Sequence, residues 1–213
     1  MRRNFHDELN DLHNAVFKMG CLVEEAVKDA VVAIGDSSPD LVEKVVQGDD
    51  KVDKIFDEIE TDCFMMLATQ QPVARDLRLI ACSIRVISDL ERMGDLAINI
   101  VKYSPGANNG EPLAASGTLI GMGTAVSAMI AETLKGFINW ESDIAERIEE
   151  RDETVDIMYM KLFEQLFECG GEYDLRSAIK SAFVGRYLER IADHCVTIAE
   201  RVNFLVEGKV EQI

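Results

Sequence analysis

Apolar positions recur along the chain at helical spacing from its start. Phe5, Leu9, Leu12, Val16, Met19, Val23, Ala26, Ala30 and Ile34 step by fours and threes, which is the seam of a long helix in a bundle. That helix ends near Gly35. Ser37-Ser38-Pro39-Asp40 then supplies the cap and first turn of a second helix, whose Leu41, Val45, Val52, Ile55, Ile59, Cys63 and Met66 share one stripe up to a break at Gln70-Gln71-Pro72. A third helix spans residues 73–101 and stops at residues 103–112, the one stretch rich in Pro, Gly and Asn. Three more are predicted at about 113–138, 141–168 and 174–207. No segment alternates with a strand period or carries a hairpin turn, so the fold class is all-α with six long helices.

The third helix has an unusual face. With Leu77 set to zero and about 100° per residue, Ile80, Ile84, Ile87 and Ile98 fall between about 280° and 340°, while Leu79, Cys82, Val86, Leu90, Met93 and Ala97 fall between about 140° and 220°. Two apolar stripes imply two packed neighbours. Arg78, Arg85, Arg92 and Asn99 take the sector from roughly 40° to 100°, yet Glu91 lands near 320° and Asp95 near 0°, inside the first apolar stripe. Carboxylates aimed at a packed neighbour must be protonated, paired or bound to metal, because an unpaired buried charge costs several kcal/mol.

The pattern repeats. Asp76-Leu77-Arg78 and Leu90-Glu91-Arg92-x-x-Asp95 return 98 residues later as Asp174-Leu175-Arg176 and Leu188-Glu189-Arg190-x-x-Asp193. Asp49-Asp50-Lys51-Val52-Asp53 returns 103 residues later as Asp152-Glu153-Thr154-Val155-Asp156. The economical reading is two tandem three-helix bundles related by internal duplication, residues 1–104 and 112–213, with a different second-to-third helix connection in each.

Composition narrows the function. Among 213 residues, 47% are hydrophobic and only 4 are Pro, as expected for a packed globular chain. A net charge of −17 argues against nucleic acid and anionic lipid as direct partners, since both reward Lys and Arg. Cys21, Cys63, Cys82, Cys169 and Cys195 are odd in number and form no C-x-x-C, so they read as reduced core residues. Asp7 and Glu8 interrupt what would be the apolar part of a signal peptide, and no continuous apolar run approaches membrane-spanning length.

Each half carries two acidic pairs at spacing i, i+4. These are Asp49 with Asp53 and Glu91 with Asp95, then Asp152 with Asp156 and Glu189 with Asp193. Residues four apart lie one above the other on a helix, so antiparallel packing of the second and third helices lets the pairs of one half meet. Four carboxylates without His or Cys make a hard-oxygen site for Mg²⁺, Mn²⁺, Ca²⁺ or iron. Competing readings are a solvated acidic surface at Asp49 and Asp53, or salt bridges to Arg78, Arg85 or Arg92. His6 and His13 are expected to be exposed on the first helix, and His194 reads either as a group behind a metal ligand or as a surface residue. The absence of Glu-x-x-His disfavours a ferritin-type oxidase.

Met19-Gly20, Gln71-Pro72-Val73-Ala74-Arg75-Asp76-Leu77-Arg78, Asp89-Leu90-Glu91-Arg92-Met93-Gly94-Asp95 and Tyr187-Leu188-Glu189-Arg190-Ile191-Ala192-Asp193-His194 resemble the PhoU family over nearly the whole chain. The resemblance implies a cytoplasmic, non-enzymatic adaptor that represses the phosphate regulon and modulates phosphate transport. It implies partners in the ATPase subunit of a phosphate ABC transporter and in a sensor histidine kinase, homodimer formation, and a peripheral place at the inner membrane face through protein contacts, without insertion. It also implies iron or zinc, in multinuclear clusters in some members, at the E/D-x-x-x-D motifs. Where the family often has Asp-His-x-x-Asn, the first half has Asp95-Leu96 with Asn99 and the second has Asp193-His194 with Thr197. Each half thus keeps one of the two groups, and Asn99 and His194 are candidates for supporting a metal ligand. A carboxylate-bound hydrolase or oxidase, and a metal-free helical adaptor, are the alternatives.

Overall fold

The structure, a computed structural model, describes residues 2–168 and 174–208. It contains α1 (Arg2–Ala33), α2 (Pro39–Gln70), α3 (Ala74–Tyr103), a 3-10 turn (Pro105–Ala107), α4 (Ser116–Asn139), α5 (Ile144–Glu168) and α6 (Leu175–Glu207), and no strand among the described residues. Helix ends follow local chemistry. Pro39 opens α2 after Ser38, whose N–H donates to Asp36 Oδ1 at 2.7 Å, and Gly208 closes α6 in the left-handed region with its N–H donating to Phe204 O at 2.9 Å. Trp140 and Ala115 also adopt left-handed backbone, so α5 and α4 begin three residues later than the apolar pattern alone places them.

Each half is a three-helix unit in which α1, α2 and α3, or α4, α5 and α6, pack on one another. The halves then join through α1 against α4 and α3 against α6. α3 therefore meets three neighbours, α1, α2 and α6, where its two stripes suggested two. All six residues of its second stripe are buried, each large apolar one contributing roughly 1.5–3 kcal/mol. One continuous apolar core runs through both halves.

Glycine sets the closeness of the α1–α4 crossing. Gly20 lies under Leu134, and Gly123 lies under Val31, the same pair of positions 103 residues on with the helices exchanged. The crossing is thus pseudo-twofold. α4, 24 residues long with an 18-residue stretch of mean hydropathy 1.2, is long and apolar enough to cross a membrane, although polar residues interrupt its apolar run. Here it packs against α1, α5 and α6, and its apolar character follows from having three helix neighbours.

Candidate metal centre

Asp49 stands on α2 facing α3, and a methyl added at Gly94 would touch its Oδ1 at 3.4 Å. Gly94 lies between Glu91 and Asp95, so the α2 carboxylate stands beside the α3 acidic pair. The four residues are layered: Asp49 and Glu91 are half-buried, Asp53 and Asp95 exposed. Burial first, then the charges of Asp53, Asp95 and Glu91, push Asp49 up from 3.8 to about 6. Glu91 is also raised, by burial and then by Asp95 and Asp53, with Arg92 opposing. The exposed position of Asp95 departs from the sequence expectation. At about 0° it lies outside the span of about 280° to 340° taken by the apolar residues of that stripe.

The second half repeats this layering. Asp152 and Glu189 are half-buried, Asp156 and Asp193 exposed, and Ala192 stands at the place of Gly94. Burial, then Asp156, Asp193 and Glu189, push Asp152 up to about 6. Glu189 is raised by burial and Asp193, against Arg186, which pairs with it. Arg186 is not among the arginines, Arg78, Arg85 and Arg92, that the sequence offered as salt-bridge partners. Asp152 Oδ1 and Glu189 Oε2 are nevertheless buried without a hydrogen-bond partner. Two orphaned carboxylate oxygens on facing helices are what a cation would satisfy. Among the described residues no three Asp, Glu, His or Cys side chains are gathered tightly enough to hold one ion as they stand.

The two supporting candidates lie elsewhere. Asn99 accepts from Lys102 Nζ at 3.3 Å. His194 turns to the other half, its Nδ1 lying 3.1 Å from Asp89 Oδ1 on α3, while Arg201 donates to Asp89 Oδ2. Asp89 is only 4% exposed and is the buried acid that the sequence analysis overlooked. Its wheel angle of about 120°, flanking the second stripe, is the signal that was there to find. Burial holds Arg201 below its usual range, with Asp89 opposing and nearby Arg85 adding to the effect. At the opposite end of the same antiparallel α3–α6 seam, Tyr103 stacks on Phe183 at 5.6 Å and on Tyr187 at 6.1 Å.

His13 is buried, correcting the expectation of exposure. Its Nε2 lies 3.1 Å from Phe137 O, its ring packs on Phe137 and Trp140, and burial lowers its pKa. The helix meets α4 on that side, which the α1 seam alone did not reveal. His6 is exposed as expected. Cys63, Cys82 and Cys195 are buried thiols, Cys21 is exposed against expectation, and Cys169 lies outside the described residues.

A family model described as the PhoU domain matches residues 16–104 and again 119–202. A phosphate-specific transport system accessory protein PhoU homolog of Aquifex aeolicus is 35% identical over 95% of this chain and 93% of its own length. Its counterpart in Clostridium acetobutylicum is 31% identical over 98% and 96%. The crystal structure of PhoU from Pseudomonas aeruginosa superposes with a TM-score of 0.90 at 33% identity, covering 96% of this chain and all of that one. That of the phosphate transport system regulatory protein PhoU from Streptococcus pneumoniae gives 0.89 at 27% identity. With both halves matched by the domain model and the whole architecture shared with solved members, the chain belongs to the PhoU family.

Proposed function

We propose that this protein is a non-catalytic accessory protein of a phosphate-specific transport system. It carries the state of the transporter, through the ATPase subunit, to a sensor histidine kinase and so represses phosphate-starvation genes. It acts as a homodimer at the cytoplasmic face, held there by protein partners, without nucleic acid or membrane insertion. The observation that carries this reading is the pair of matched carboxylate sets in a chain whose relatives bear the name of phosphate transport accessory protein. Asp49, Asp53, Glu91 and Asp95 would hold metal in one half, and Asp152, Asp156, Glu189 and Asp193 in the other. Iron or zinc fits the family resemblance, and the oxygen-only donors also admit magnesium or manganese. Bound metal supplies positive charge that lets facing acids ionise together and ties α2 to α3 and α5 to α6.

A clean chromosomal deletion tests the regulatory role. Starvation genes are expected to stay on in phosphate-replete cells, and normal repression would overturn the reading. Elemental analysis of gently purified protein tests the metal, and turnover of phosphoesters or an oxidase activity in the loaded protein would instead favour a metalloenzyme.

A further inference from the structure

The outer seam between α1 and α2 holds two clefts, one with lysines among its acids and one without. Near the α1–α2 turn, Lys44 bridges Asp29 at 2.7 Å and Glu25 at 3.1 Å. The second half has the same tie 103 residues on, where Arg147 lies 3.5 Å from Glu132. Toward the other end the halves part. Thr118 Oγ1 donates to Gln165 Oε1 at 2.7 Å and fastens α4 to α5. Their counterparts in the first half are Ala15 and Asp62, which cannot make that bond.

At that place α1 and α2 frame a cleft of about 500 Å³. Leu12, Ile59 and Met66 form its apolar floor, Met65 stands 58% exposed at its mouth, and Glu8, Asp11 and Asp62 line its rim. No Lys or Arg lines it, and among the described residues no ion pair neutralises those three acids. All the residues that line this opening come from α1 and α2.

We propose that this cleft docks a basic amphipathic segment of a protein partner, with an apolar side chain on the Leu12–Ile59–Met66 floor and Lys or Arg side chains against Glu8, Asp11 and Asp62. Charge complementarity selects the occupant: unmatched carboxylates around an apolar floor favour a cationic helix over an acidic or purely apolar one. The volume is in the range that accepts a few large side chains, and unbranched Met side chains adapt to their shape. The whole chain, at −17, steers cations everywhere, but the cleft nearer the α1–α2 turn has Lys44 and Lys51 among its acids, whereas this one sets acids around an apolar floor with no cation in its lining. The proposal is independent of metal in the carboxylate sets.

The test uses the full chain and a fluorescent synthetic helix of Leu and Lys with every Leu on one face, followed by anisotropy. Wild type is expected to bind it one to one. The double variant A15T/D62Q, which installs the Thr–Gln tie of the second half, is expected to weaken binding roughly tenfold or more. Glu149→Gln, an equal loss of charge on exposed α5, is expected to leave it unchanged. Met65→Lys, at an exposed position where folding is safe, should weaken binding to the same extent. Equal affinity in wild type and A15T/D62Q, or equal losses in A15T/D62Q and Glu149→Gln, would overturn the proposal in favour of diffuse attraction. Self-association of the chain alone that Met65→Lys abolishes would also overturn it, by assigning the cleft to a second copy.

Discussion

Asp89 is the most consequential single acid outside the carboxylate sets, because its partners come from the other half of the chain. Replacing it by Ala leaves Arg201 half-buried and uncompensated, an outcome worth about 3–5 kcal/mol. Thermal unfolding is expected to show that loss, and the double change Asp89→Leu with Arg201→Met to recover much of it, since apolar isosteres replace a buried pair at little cost. Asp49 and Asp152 make a different statement. Their folded pKa values, about 6 against the usual 3.8, mean that the folded state keeps protons that the unfolded chain has released. Stability of the metal-free protein is therefore expected to fall as pH rises from about 4 to 6 and to level off above. Asp49→Asn should remove part of that slope in chelator-treated protein, and an unchanged slope would show that the half-buried acid is not its source.

Close helix and turn approaches rest on glycines, of which Gly106 is the least replaceable. A methyl there would stand 2.5 Å from the backbone oxygen of Ser38, which no side-chain rotation relieves. Gly106→Ala is expected to cost roughly 1–3 kcal/mol by overpacking, read as a lower midpoint in urea. Gly20→Ala should cost less than that, since the neighbour there is the flexible end of Leu134. The six helices were legible in sequence because their apolar steps are long and regular, and the E/D-x-x-x-D pairs because they recur at fixed offsets. What the spacing could not give is which residue of one helix meets which residue of another. A helical wheel reports the sector that is buried and nothing about the partner across it. So the wheel flagged Glu91 but not the tie from Asp89 to Arg201, 112 residues away, and His13 looked polar until α4 covered it.

Across the molecule, the two carboxylate sets lie in different halves and share no residue, so they should load separately. Asp95→Ala is expected to lower metal content in the first half alone and Asp193→Ala in the second alone, each with a smaller metal-dependent rise in melting temperature. Equal metal content in wild type and both variants would sink the assignment. The α3–α6 seam carries a further consequence. At an offset of 98, Asp89 corresponds to Tyr187, Arg201 to Tyr103, Arg85 to Phe183 and His194 to Leu96. One end of the seam is therefore ionic where its mirror end is aromatic. If α3 paired with a second α3 in this geometry, each Asp89 would face Tyr103 and Leu96 and lose its arginine. Two α6 helices would strand Arg201 and His194 against Tyr187 in the same way. A gene duplication that began with interchangeable repeats has in this chain become a lock and its key. Produced as two separate polypeptides, the halves are expected to form a one-to-one heterodimer and to shun self-pairing, and native mass spectrometry showing equal amounts of the three possible dimers would contradict it.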